Sequence, residues 1–256
     1  MSLDPELVAA YHDCEFTSGS LTRRYRMLRP DLPLGETAPL LLFLHGAGER
    51  GDDNQSQLKY LPDHLARPES RKKWPAFVVA PQCRADSTWV DSIWSAAESA
   101  PMAESPTEDL RWVMQLLEHL ASSEPIDRTR IYLTGLSMGG FGAWELACRL
   151  PETFAAVAPI CGGGDEHQAH RLVDIPIWAW HGSLDEIVPV VRSRQMVSAI
   201  QAAGGLHCRY TELVGEGHHS WVPAYRDESG LLDWLFSHHR RPCPPHSGDT
   251  TTLLEA

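Results

Sequence analysis

Residues 135 to 139 read Gly-Leu-Ser-Met-Gly, with an apolar run at 131–134 before them and a helical pattern at 138–150 after them. A Gly-x-Ser-x-Gly between strand and helix is the setting in which a serine hydroxyl becomes a nucleophile. The serine sits on a strained turn, and a Cβ at either flanking position would strike the neighbouring strand or helix. Glycines at 135 and 139 remove that obstacle. The turn also aims a helix N-terminus at the reacting carbonyl, where its dipole favours developing negative charge. The expected chemistry is acyl transfer with Ser137 as nucleophile.

A serine hydroxyl needs a base within hydrogen-bond reach, and that base needs an orienting acid. Both are expected on loops after later strands, in the order nucleophile, acid, histidine. The apolar run at 175–180 leads into His181-Gly-Ser-Leu-Asp185-Glu-Ile-Val-Pro189. Asp185 therefore lies just past a strand's carboxyl end, where open α/β sheets place their sites. Glu186 is adjacent, Asp174 precedes the strand at the wrong end, and Asp165, after Gly162-Gly-Gly164, is the main rival one strand earlier. The run at 208–213 leads into Gly215-Glu-Gly217-His218-His219-Ser220-Trp221. Gly217 permits a sharp turn presenting His218 inward as general base. His219 is then a solvated or substrate-facing neighbour. A histidine base predicts that activity fails on the acid side, near ~6 to 7.

The oxyanion formed by attack needs preorganised N–H donors. One is expected to be the Met138 amide. The other is expected from the loop His45-Gly46-Ala47-Gly48-Glu49-Arg50-Gly51, with the Ala47 amide preferred and Gly46 or Gly48 as substitutes. This glycine run lacks the Lys-Ser/Thr ending of a phosphate loop. Substrate contacts are expected from Glu49 and Arg50, unless the two simply pair, and from Trp89, Trp94 and Trp221, unless these pack the rim. His45 and His181 end central strands before a glycine and read as buried, hydrogen-bonded imidazoles. His167 and His170 form a lone H-x-x-H in a polar stretch, which is a poor metal signature. No metal and no cofactor is expected.

The elements that must hold these residues alternate. Polar and apolar residues alternate at 22–28, which predicts an antiparallel edge strand. Apolar runs at 40–44, 76–80, 131–134, 157–160, 175–180 and 208–213 predict buried strands. Helical patterns fall at 107–120, 138–150, 190–203 and 225–236, the first opened by Ser105-Pro106-Thr107 with acids following. Such alternation predicts an α/β fold, a mostly parallel central sheet with helices on both faces. A chain of 256 residues with 43% apolar content suits one such domain, expected over residues 1–239. A Pro-rich tail at 240–256 is expected to be disordered.

A net charge of −12 repels polyphosphate and anionic lipid, so neither nucleic acid nor a membrane surface is an expected partner. The first residues lack the basic start and apolar stretch of a secretory signal, and no apolar run is long enough to span a bilayer. Six scattered cysteines without a C-x-x-C pair are expected to be mostly free thiols, as in a reducing cytoplasm.

The blocks FLHGAGERGDDN (43–54), APQC (80–83), GLSMGG (135–140), HGSLDEIVP (181–189) and GEGHHSW (215–221) resemble, in that order, the bacterial phospholipase/carboxylesterase-like family. That family belongs to the α/β-hydrolase superfamily, is related to polyhydroxybutyrate-depolymerase-like hydrolases, and includes members described as peptidases or esterases. The resemblance implies the α/β-hydrolase fold, with Ser137, Asp185 and His218 at the family's catalytic positions. The histidine before x-S-W in its Gly-x-Gly-His block supports His218. The expected function is that of a carboxylesterase acting on small or medium acyl esters through an acyl-enzyme. A serine peptidase or acyl-thioesterase is the alternative, although peptide bonds have a worse leaving group and usually demand an extended cleft. A non-catalytic binding protein of the same fold is a rival of another class, and its signature would be a broken triad.

Overall fold

The computed structural model describes residues 3–240. The tail expected at 240–256 lies outside the described residues, apart from Arg240. Eight strands form one sheet: β1 (His12–Ser18), β2 (Leu21–Leu28), β3 (Ala38–Leu44), β4 (Phe77–Pro81), β5 (Ile126–Leu136), β6 (Ala156–Ile160), β7 (Ile177–Gly182) and β8 (Cys208–Leu213). Their order is β1-β2-β4-β3-β5-β6-β7-β8. β1 pairs antiparallel with β2, and β2 antiparallel with β4, whereas every pairing from β4 to β8 is parallel.

Eight α-helices accompany them among the described residues: α1 (Pro5–Ala9), α2 (Leu61–Ala66), α3 (Pro68–Lys73), α4 (Glu108–Ser123), α5 (Met138–Arg149), α6 (Val191–Ala202), α7 (Trp221–Ala224) and α8 (Leu231–Phe236). The hydrophobic alternation of β3 explains the two-sided cover. Leu40, Leu42 and Leu44 face a cluster that includes Leu110 and Val113 of α4, Trp144 of α5 and Met196 of α6. Leu41 and Phe43 face the opposite cluster, with Leu61 of α2 and Leu231 and Leu235 of α8. A strand with a period of two and no polar face must be covered on both sides.

Two expectations about elements are corrected. The strand at 22–28 is antiparallel but is not an edge strand, because β1 pairs along its whole outer side. The single helix expected at 225–236 is instead broken: after α7 ends at Ala224 come a 3-10 turn at Asp227–Ser229 and then α8. Gly230, at φ +72°, turns the chain between the last two. A left-handed residue ends one helical segment and frees the next to start in a new direction. No described helix is long and apolar enough to cross a membrane.

Candidate active site

Ser137 links β5 to α5 with φ 54° and ψ −118°, a left-handed conformation costly for a residue with a Cβ. Its amide donates to the Ile160 carbonyl at the end of β6, 2.9 Å away, which pins the turn to the neighbouring strand. The glycines expected to make room do so. A Cβ on Gly135 would lie 2.2 Å from the Gly139 carbonyl oxygen.

Three strand ends bring the side chains together. The Ser137 hydroxyl lies 2.9 Å from Nε2 of His218, and Nδ1 of His218 lies 2.7 Å from Oδ2 of Asp185. An ionised carboxylate only accepts, so Nδ1 carries the hydrogen and Nε2 is left to accept from Ser137 Oγ. The acid loop and the histidine loop are joined directly. Ser183 N donates to Leu213 O at 3.0 Å, Leu184 N to Glu216 O at 2.9 Å, and Gly215 N to Ser183 Oγ at 2.9 Å. The left-handed residue of the histidine loop is Gly215, φ +82°, and not Gly217 as expected.

Asp185 is the most heavily hydrogen-bonded member. Oδ1 accepts from the amides of Ile187 and Val188, both at 2.9 Å. Oδ2 accepts from His218 and faces Nε2 of His181 at 3.2 Å. Burial pushes this carboxyl upward, but the donors from His181, His218, Val188 and Ile187 together outweigh it and hold it well below the usual carboxylate range. Asp165, the rival acid, is occupied elsewhere: it caps a 3-10 turn through His167 N and accepts from Met102 N at 2.8 Å.

The glycine loop after β3 lies beside the nucleophile because Leu44 is in register with Gly135. Met138 opens α5, so its amide has no acceptor within the helix, and Ala47 opens the 3-10 turn Ala47–Glu49. Glu49 and Arg50 do not pair. Glu49 is buried beside Lys59, 3.9 Å away, and burial pushes its carboxyl upward against the Lys59 charge. Arg50 donates to the carbonyls of Ala47 and Ser87, at 3.0 and 3.2 Å, and lies over the Trp94 ring. Its guanidinium thus braces the loop.

The three tryptophans separate. Trp89 is 1% exposed and donates to the His45 carbonyl at 3.0 Å, so it is core and not an exposed wall. Trp94 is half-buried beneath Arg50. Trp221 is the one that touches the site, standing edge-on to His218 with ring centroids 5.3 Å apart. Its other side meets Tyr60 at 5.5 Å. Tyr60 holds φ 64°, which no composition signal announces. His219 is exposed and packs against Trp221.

One group of potential metal-ligand atoms occurs among the described residues, with Cys161, Asp185 and His218 within 4.8 Å of one another. Its donor set is a hydrogen-bonded one: carboxylate and imidazole already share a proton bond, and burial pushes the Cys161 thiol up to about 12. Two surface clefts of about 410 and 420 Å³ are lined by other residues, around Arg71 and Trp74 and around Leu7 and Arg67. Here side-chain geometry, not cavity size, marks the site.

Residues 32–229 match the family model described as phospholipase/carboxylesterase. A bifunctional acetylxylan esterase/xylanase, XynS20E of Neocallimastix patriciarum, is 30% identical over 60% of this chain and 20% of its own. A poly(3-hydroxyoctanoate) depolymerase of Pseudomonas fluorescens is 27% identical over 63% of this chain and 59% of its own. The crystal structure of a thermostable esterase superposes with a TM-score of 0.83 at 37% identity, covering 91% of this chain and 64% of that one. The chain thus spans less than two thirds of the length of each of these relatives.

Proposed function

Because the chain belongs to the phospholipase/carboxylesterase family, we propose that it is a serine carboxylesterase that cleaves small or medium acyl esters through an acyl-enzyme. The observation that carries this reading is the continuous path from Asp185 through His218 to Ser137, with contacts of 2.7 and 2.9 Å. Relatives named as esterases lend it support.

In this mechanism Nε2 of His218 takes the Ser137 proton as Oγ attacks the ester carbonyl carbon. Asp185 stabilises the imidazolium so formed. The carbonyl oxygen gains charge and is met by the amides of Met138 and Ala47, a contribution of ~3 kcal/mol per donor. His218 returns the proton to the departing alkoxide, and the alcohol leaves. Water, deprotonated by the same imidazole, then attacks the acyl carbon, and the imidazolium returns that proton to Ser137 Oγ as the acid leaves. Trp221 and Trp94 form apolar parts of the substrate wall, with Glu49 at its polar edge. Residues 1–239 form the catalytic domain, no nucleic acid or membrane takes part, and the five free thiols among the described residues fit a cytoplasmic setting.

A fluorophosphonate probe tests the reading. Wild-type protein should be labelled on Ser137, and Ser137→Ala should lose both the label and the hydrolysis of p-nitrophenyl esters. A folded wild type that takes no label overturns it. Running p-nitrophenyl esters of increasing chain length beside a peptide anilide and an acyl thioester separates esterase from peptidase and thioesterase.

A further inference from the structure

Asp185 faces two imidazoles, and the second has no place in the mechanism above. His181, the penultimate residue of β7, is fully buried. Its Nε2 lies 2.9 Å from the Val188 carbonyl oxygen and 3.2 Å from Asp185 Oδ2. Both neighbours only accept, so Nε2 carries a hydrogen whichever form the ring takes. On its other side Nδ1 lies 2.8 Å from the hydroxyl of Ser193, in the first turn of α6. Ser193, also fully buried, is 3.1 Å from the Gly162 carbonyl. One ring therefore ties the end of β7, the acid loop, α6 and the loop after β6 into a single polar network.

We infer that His181 is a positioning residue for Asp185, holding Oδ2 in the plane where it meets His218 and sharing its charge. The inference rests on the proposed triad. The two amides on Oδ1 fix one oxygen. The Nε2–H of His181 fixes the other even while His218 moves with its proton. The sharing has a sign. A carboxylate that already accepts from His181 offers less charge to His218, so removing that donor strengthens the Asp185–His218 pair and stabilises the imidazolium. It also leaves the buried carboxylate one donor short, which raises its own tendency to protonate. Both effects move the acid limb of kcat/KM to higher pH. The other titratable groups nearby are the Cys161 thiol, neutral because burial pushes it up to about 12, the exposed His219, and Glu212 on β8, paired with Arg194 at 2.6 Å.

The experiment compares wild type with His181→Phe, His181→Gln and Ser193→Ala on a soluble p-nitrophenyl ester from about pH 5 to 9, with thermal unfolding of the same samples. His181→Phe should lower kcat about tenfold or more with KM within about threefold, and should move the acid limb upward. His181→Gln, whose amide nitrogen reaches the Nε2 position, should bring the limb back. A His181→Phe limb that coincides with wild type overturns the inference, even if kcat and Tm both fall, because a merely structural role would do that. If His181→Phe does not fold, Ser193→Ala decides: untying Nδ1 should shift the limb in the same direction, and an unmoved limb overturns the inference. Ser137→Ala keeps the two readings apart. Retained activity there removes the triad itself, whereas a dead Ser137→Ala with an unshifted limb at position 181 removes only the role of His181.

Discussion

A Cβ on Gly139 would lie 1.9 Å from the carbonyl oxygen of Leu44. The first turn of α5 thus rests directly on the last residue of β3, and this contact brings the helix N-terminus over the site. No rotamer relieves a backbone overlap of that depth, so strand and helix must separate. Gly139→Ala should cost more than about 3 kcal/mol by urea denaturation, with the nucleophile turn distorted. Gly48→Ala is the control. Its Cβ would meet nothing within 4 Å, and the expected change is within about 0.5 kcal/mol. Equal stabilities for the two variants would mean that the helix can shift freely.

His45 makes stability depend on pH. Its Nε2 accepts from the Cys83 amide at 2.9 Å, so Nδ1 carries the hydrogen and donates to the Gly46 carbonyl at 2.6 Å. Protonating Nε2 would break the Cys83 bond. Burial pushes this imidazole down to about 4, against a partial lift from the Gly46 carbonyl. The unfolded chain, titrating near ~6.5, binds the proton first. Stability is therefore full above ~6.5 and falls towards pH ~4, by an order of 3 kcal/mol from this group. Denaturant titrations at a series of pH values should show that slope. His45→Gln, with no proton to take up, should flatten it. An equally steep variant would place the loss elsewhere.

Residues that stand just past a strand's end were the readable ones. Ser137, Asp185 and His218 each follow the carboxyl end of a strand, and β6, β7 and β8 fell within about two residues of their expected bounds. β1 escaped because none of its residues is fully buried; an edge strand with polar cross-partners carries little hydrophobic signal. α2 and α3, of six residues each, are too short to show a helical period. Trp89 reads like a surface loop residue until Gly142, lacking a side chain, lets the ring pack beneath α5. The second imidazole on Asp185 was half legible: His181 was expected to be buried and hydrogen-bonded, but not to share the acid, since the return of the chain at Val188 is a tertiary fact.

Cys161 lies close to Asp185 and His218 and is nevertheless expected to be inert. It is fully buried, and burial pushes its thiol, like those of Cys83 and Cys148, up to about 12. Near neutral pH the group therefore stays the neutral thiol, whereas the thiolate is the reacting form. Iodoacetamide should therefore leave Cys161 unmodified in the native protein and leave ester hydrolysis intact, while in guanidinium the same cysteine should be alkylated. Peptide mass spectrometry reads both states. Rapid native alkylation at 161 would show that the loop after β6 opens, and that the buried network around Asp185 opens with it.

The two candidate acids make opposite predictions. In Asp185→Asn the amide can present an N–H to the N–H of His218, so the imidazole is driven to the tautomer that cannot accept from Ser137. Turnover of a p-nitrophenyl ester should fall roughly 10⁴-fold with little change in KM. The same substitution removes a carboxylate held well below its usual range. Its stabilising contribution is present above the unfolded value of ~3.9 and is lost as pH falls towards the folded one, so the variant's stability should vary less with pH at the acid end. Asp165→Asn keeps an oxygen for the His167 amide but weakens two hydrogen bonds at a turn. It should cost about 1 kcal/mol of stability and leave kcat within about threefold. If Asp165→Asn were the dead enzyme and Asp185→Asn the active one, the carboxylate 2.7 Å from His218 would be a bystander and the acid would have to reach the imidazole from the loop after β6.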